Sequence, residues 1–456
     1  MPSISYGAGS YVRTNGSFPP LELINMFVEQ SNTSEGGVAL LSRPGLGLLA
    51  TAGSGPINGM YSKRGTLSGD VFSISNTTLY RGTTSLGTVA GSGVPSFAGG
   101  ENELLVCRGS TMRSYNGTNI ANVAFPDSAS VTAVDYIGSL FVAIRASTQK
   151  FYWSSPLDGR TWAALDFASA EREPDLLLDI KALGDNIWLF GQSTVETWQH
   201  TGDAALPFTR LEQVAFDKGI HSTGAVVKAD NTLVFVGSNS SVYRIGDVPE
   251  RISTHAIEER ILDSTNVKMF TFQLEGHEFV CVRLDTETLA YDMATGEWCE
   301  FQSSGGQWIV AAAAMVGKVA YLGHQTTGQL MGWDEWDDMG ASLERRFTAA
   351  QPLDTITPVY SVALWTNPGQ TPLTSPTSGY DPLLYMRYSR DGGQTWSAYD
   401  SCKLGQQTQY RVRPEFRALG SFDFPGLMME FKVTDPVPFR VSAVKVNDPA
   451  ASRARV

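Results

Sequence analysis

The chain has 456 residues, 42% of them hydrophobic, and carries 34 Lys and Arg against 46 Asp and Glu, a net charge of −12. That length allows two or three cores. An acidic chain with no basic run is poorly suited to gripping nucleic acid by phosphate neutralisation, and well suited to a surface that nucleic acid does not stick to.

The opening residues, MPSISYGAGSYVRTNG, lack the charged-then-apolar build of a signal peptide. The most apolar run, 308–317, is about half the length of a membrane span. Cys107, Cys281, Cys299 and Cys402 are scattered, with no CxxC or Cys/His ligand spacing. Cys107 and Cys281 lie in apolar strands and read as small core residues. The expectation is a soluble protein made in a reducing cytoplasm, with no disulfide framework, metal or cofactor and no membrane span.

Residues 1–56 read as an N-terminal arm. Pro19-Pro20 leads into LELINMFVEQ and then ALLSRPGLGLLA, strand-like segments with no core of their own. From residue 57 to 350 the chain writes one phrase seven times: an apolar strand, a short polar turn, and a second strand landing on an aromatic. The fourth copy, NIWLFGQSTVETWQH (Asn186–His200), is the clearest. The landing residues are Tyr80, Tyr115, Tyr152, Trp198, Tyr243, Tyr291 and Trp333, separated by 35, 37, 46, 45, 48 and 42 residues. A period of this size with strands inside each unit marks a β-propeller, since a lone twisted sheet cannot bury both faces. One copy could belong to a flanking sheet, so the count is six or seven blades; the competing architecture is a multi-sheet sandwich.

Two units are lengthened, by residues 153–175 and 199–219, and such insertions read as loops on one face where partners dock. His255–Asp263 is the one helical patch, with Ile257 and Ile261 at i, i+4. Beyond about residue 350 prolines become dense, and then strands return (LLYMRYS, YRVRPEF, LMMEFKV, FRVSAVKV). Residues 351–456 are therefore expected to form a C-terminal β-sandwich-like module, ending in a tail, DPAASRARV, to which nothing is assigned.

The sharpest local motif is Ser389-Arg390-Asp391-Gly392-Gly393-Gln394-Thr395-Trp396, which fits the S-x-D-x-G-x-T-W Asp box of sialidase-type propellers. Its physical content is a tight turn in which Asp391 accepts backbone hydrogen bonds, Gly393 takes positive φ and Trp396 packs beneath. A glycosidase needs carboxylates facing each other about 5–10 Å apart. The acidic clusters here, Glu171, Glu173 and Asp175, and Asp334, Glu335, Asp337 and Asp338, are each contiguous in sequence and read as solvated surface. WDEWDD lacks the alternating oxygen ligands and central Gly of an EF-hand. The five histidines share no spacing, and His200 reads as a hairpin-edge residue. Neither a phosphate-binding GxxxxGK[ST] nor a GxGxxG follows a strand. No catalytic, cofactor-binding or metal residue is assigned.

Several of these stretches, in their order, resemble the packaged-DNA stabilisation proteins of short-tailed bacteriophages, also called tail hub or nozzle proteins. They are Ile24-Asn25-Met26; Ser42-Arg43-Pro44-Gly45-Leu46; Gly87-Thr88-Val89-Ala90-Gly91-Ser92-Gly93; Gly191-Gln192-Ser193-Thr194-Val195-Glu196; Thr201-Gly202; Lys218-Gly219-Ile220; and Ile252-Ser253-Thr254-His255-Ala256-Ile257-Glu258. The likeness extends to the turn at 389–393.

The resemblance implies a virion protein, assembled in the host cytoplasm, that forms a homo-hexameric ring below the portal-adaptor complex. That ring would extend the DNA channel, retain packaged DNA and serve genome ejection. The partners so implied are the portal-adaptor (head-to-tail connector) ring, tailspike or tail fibre proteins, a tail needle or plug, and double-stranded DNA passing without sequence-specific binding. Under this reading the arm 1–56 and the insertions 153–175 and 199–219 are the expected contact regions, and the acidic loops are candidates to line the lumen. The alternatives are a propeller that binds a host glycan or receptor and, behind it, a sialidase-like glycosidase.

Overall fold

A computed structural model of the protein describes residues 10, 21–32, 34, 37–170, 173–246, 248–334, 336–371 and 379–448, without the side chains of 212–214. All seven hairpins form, and each supplies the second and third strands of an antiparallel blade. The hairpin partners are Phe72–Ser75 with Thr78–Arg81, Leu104–Arg108 with Thr111–Tyr115, and Leu140–Arg145 with Lys150–Trp153. They continue with Asn186–Gly191 and Val195–His200, Thr232–Val236 and Val242–Ile245, His277–Arg283 and Thr288–Asp292, and Val319–His324 and Gln329–Asp334. Two-residue loops such as Gly138-Ser139 and Asp230-Asn231, with both residues at positive φ, join inner strands to hairpins.

The fold is an all-β propeller of seven blades. The inner strand of blade seven, Val310–Val316, packs on that of blade one, Ile57–Tyr61, so the wheel is closed. Apolar residues fill each seam between neighbouring blades. Leu105, Phe141 and Tyr152, for example, join blades two and three, and Phe190, Phe235 and Tyr243 join four and five. The helix forms as expected, over His255–Leu262, and buries Ala256, Ile257 and Ile261 between blades five and six.

The N-terminal segment does not stand apart. Its strand Gly45–Thr51 is the outer strand of blade seven, antiparallel to Gln329–Asp334. The seam between blades seven and one is the thinnest, with Ala52, Ile57, Ala312 and Leu330 as its buried apolar residues. Leu23–Ile24 pairs with Trp298–Ser303 on the rim of blade six and with Arg345–Pro352 of the C-terminal region. One ten-stranded sheet therefore runs from the axis of the wheel into the C-terminal sandwich. Met26–Gln30 and Val38–Ser42 enter the sandwich's second sheet, beside Arg440–Val446. Pairing of this kind leaves fewer exposed edges than a free arm would.

The two insertions are not plain loops. Phe167–Ser169 and Phe208–Phe216, inside them, are the outer strands of blades three and four. Part of the first folds back on blade two: Gly159 N–H donates to Glu103 Oε2 at 2.7 Å, and Trp162 packs on Phe125. Their remaining surface is notably apolar, with Leu157, Leu165 and Leu206 all exposed. Short-range patterning missed the outer strands because Phe167–Ser169 is only three residues long and Phe208–Phe216 alternates weakly. No helix among the described residues is long and apolar enough to cross a membrane.

Candidate functional site: a buried weld and the propeller axis

Arg43 is fully buried where the N-terminal segment, blades six and seven, and the sandwich meet. All five of its N–H donors are used. Nε donates to Asn25 Oδ1 at 2.8 Å; Nη1 to Asp338 Oδ1 at 2.8 Å and Pro44 O at 2.9 Å; Nη2 to Asp338 Oδ2 at 2.7 Å and Gln302 O at 3.0 Å. Ser303 Oγ donates to the same carboxylate at 2.6 Å. Asn25, held at φ +54°, donates through Nδ2 to Glu344 O at 2.7 Å and accepts Gln302 N–H at 3.0 Å. Gly45 follows because any Cβ there would lie 1.9 Å from Asp337 O. The family-like motifs around Asn25 and Arg43 are thus the weld between propeller and sandwich.

Asp338 is correspondingly no surface acid, and the expectation that WDEWDD is a solvated cluster is corrected there. Asp334 is exposed, Asp337 caps its own turn by accepting Gly340 N–H at 2.7 Å, and Glu335 lies outside the described residues. The first acidic cluster divides similarly. Glu173 is exposed and Glu171 lies outside the described residues, but Asp175 is buried. Its carboxylate accepts the N–H groups of Gln192, Ser193 and Thr194 at 2.7–2.9 Å, tying down the turn of the fourth hairpin. Gly191 and Gly219 are required where Asp175 and the Gln192 carbonyl approach their backbones. Contiguity in sequence suggested one solvated patch; the partners that reach Asp175 and Asp338 from distant segments instead bury one carboxylate of each cluster.

At the axis the inner strands surround an open cavity of ≈ 500 Å³, lined by Met60, Phe97, Met269, Phe270 and Met315 and by five charged residues. Asp135 accepts Tyr136 N–H and Ala182 N–H and pairs with Lys228 at 2.7 Å. Asp179 accepts Ile180 N–H and Gly224 N–H and pairs with Lys181 at 2.6 Å. Each aspartate therefore stitches its blade to the next. Burial alone would raise the Asp135 carboxyl, but Lys228 and Lys181 outweigh it and hold it below the usual carboxylate range. Lys63 is the fifth charge, with its ammonium 3.3 Å from Gly99 O and over the Tyr136 ring. Val94 packs on Gly224 across the wheel.

The Asp box folds as a turn of the sandwich. Asp391 accepts Thr395 N–H at 2.9 Å, and Gly393 N–H donates to Ser389 Oγ at 2.8 Å. Gly392 and Gly393 both take positive φ. It lies between Leu383–Ser389 and Asp400–Lys403, outside every blade. His200 ends a third strand and packs on Phe208. Among the described residues no three His, Cys, Asp or Glu side chains cluster as metal ligands. Cys107, Cys281 and Cys299 are buried free thiols, and burial pushes Cys107 up to about 12.

These features define a β-propeller scaffold whose buried polar groups are spent on welding blades and modules together. The chain belongs to the Phage_stabilise family, described as Bacteriophage P22 Gp10, beta-propeller, whose model matches residues 3–333. It is similar to the tail hub protein gp10 of Salmonella phage P22, at 27% identity over 292 residues, 56% of this chain and 60% of that protein. The match thus spans less than two thirds of that relative's length. Among solved structures, the chain is similar to PorZ of the Porphyromonas gingivalis type-IX secretion system (13% identity, 70% of this chain, 45% of PorZ, TM-score 0.38). Another is Raptor of Chaetomium thermophilum (10% identity, 66% of this chain, 30% of Raptor, TM-score 0.42). The family is thus that of a phage propeller protein, and the curated relative is a tail hub protein.

Proposed function

We propose that this chain is a subunit of a hexameric hub, or nozzle, in a short-tailed phage tail. The ring sits below the portal-adaptor complex, carries the DNA channel onward, retains packaged DNA and serves its ejection. The observation that carries the geometry is the size of the propeller axis. Its cavity holds only ≈ 500 Å³, and Val94 lies against Gly224 across it, which leaves no room for a duplex whose major groove alone is ≈ 12 Å wide. Duplex DNA cannot thread a single wheel, so a passage has to run between copies. A net charge of −12 per chain suits such a lumen, because repulsion lets DNA slide while salt screens it beyond about 8–10 Å.

The exposed Leu157, Leu165 and Leu206 on the two insertions are the proposed contacts to neighbouring copies or to the adaptor ring. Tailspike or fibre and needle or plug proteins are the proposed partners below, and the host cytoplasm the proposed place of assembly. Mass measurement and electron microscopy of the full chain with its adaptor ring test the reading. Six copies around a central lumen are expected; a strict monomer that ignores the adaptor would overturn it.

A further inference from the structure

The geometry points to the propeller axis as a binding site for a small amphipathic carboxylate, its acid group on Lys63 and its apolar body against Met60, Met269, Phe270 and Met315. The cavity, ≈ 500 Å³, is within the size range of small-molecule sites. Its lining holds three lysines, Lys63, Lys181 and Lys228, against two aspartates, Asp135 and Asp179, which leaves one positive charge over.

That charge is assigned by the contacts. Asp135 and Asp179 each accept two backbone N–H groups and pair with their own lysine, Lys228 and Lys181. Lys63 has only the Gly99 carbonyl at 3.3 Å and the Tyr136 ring, 5.3 Å away. Among the described residues no carboxylate pairs with it, although an ammonium has three protons to donate. Burial lowers its pKa and Lys228 adds to that, with Asp135 opposing. The Lys63 side chain is exposed at the mouth of the cavity, so its ammonium is free to meet the carboxylate of a ligand whose apolar part lies against the wall.

The class of anion follows from the walls. One point charge with no arginine fork suits a monocarboxylate better than a phosphate carrying nearly two charges. The methionine and phenylalanine side chains offer an adaptable apolar surface for a chain or ring. Nothing in the hub role requires such a ligand, so the two readings stand or fall separately.

The test is calorimetric titration of the full-length protein with octanoate, with acetate and 1-octanol as the charge-only and apolar-only arms. Octanoate is expected to bind one site per chain, at least about tenfold tighter than either control. Lys63→Met should weaken octanoate about tenfold while leaving octanol binding intact, which also reports that the cavity is still formed. Lys63→Arg should retain octanoate. No saturable octanoate binding below about 10 mM, equal binding of acetate, or unchanged octanoate affinity in Lys63→Met would each overturn the site.

Discussion

Replacing Arg43 with Met keeps most of the apolar stem but removes the cation and all five donors. Asp338 is then left with Ser303 alone, in a place where its side chain is 1% exposed. Breaking one side of a buried ion pair costs about 3–5 kcal/mol because the orphaned charge stays buried. Against a total stability of about 5–15 kcal/mol, that is a large fraction. Asp338→Leu should cost a similar amount for the mirror reason. The double variant Arg43→Met, Asp338→Leu removes both charges and forfeits mainly neutral hydrogen bonds to Asn25, Pro44, Gln302 and Ser303. Its cost should therefore fall at least about 2 kcal/mol below the sum of the singles. Urea unfolding followed by tryptophan fluorescence and circular dichroism gives all three values. A single Arg43→Met effect under about 1 kcal/mol, or strict additivity in the cycle, would refute the weld.

Asp175→Ala removes the acceptor for three backbone N–H groups of the Gln192–Thr194 turn and should cost about 2–4 kcal/mol, read as a fall in the urea midpoint. His277 sits between Asp292 and Glu29, at 2.7 and 2.6 Å, and joins blade six to the sandwich strand Met26–Gln30. Burial would lower its pKa, but those two carboxylates outweigh burial and raise it above 6.5. Its stabilising share is therefore full below pH 6.5 and lost as pH rises through the higher folded value, a slope that His277→Gln should abolish in unfolding curves taken from pH 6 to 9. Deleting residues 1–51 removes the outer strand of blade seven and should open the thin seam to blade one. Hydrogen exchange in Gln329–Asp334 should then rise to the level of frayed strands, and protection equal to the full chain would count against the closure described here.

Much of the wheel was legible because it depends on local chemistry. The landing aromatics Tyr80 to Trp333 all fall in third strands, and the turn residues between them set each hairpin. The helix was readable from two isoleucines one turn apart. What escaped was anything decided by pairing across long stretches of chain. Gly45–Thr51 looks like any short apolar run, and nothing nearby indicates that its partner is Gln329–Asp334. The acids of WDEWDD look alike in sequence; only the approach of Arg43, 295 positions away, makes Asp338 a buried partner and leaves Asp334 in solvent.

The sequence by itself determined the repeating strand unit, the all-β class and the acidic surface, because alternation, turn chemistry and net charge act over a few residues or over the whole composition. Only the tertiary structure decided the blade count, the closure of blade seven by the N-terminal strand, and which carboxylates became welds. Those outcomes turn on which distant backbone finds an open sheet edge and which buried charge finds its counter-ion, and neither choice is encoded within reach of a single turn or strand.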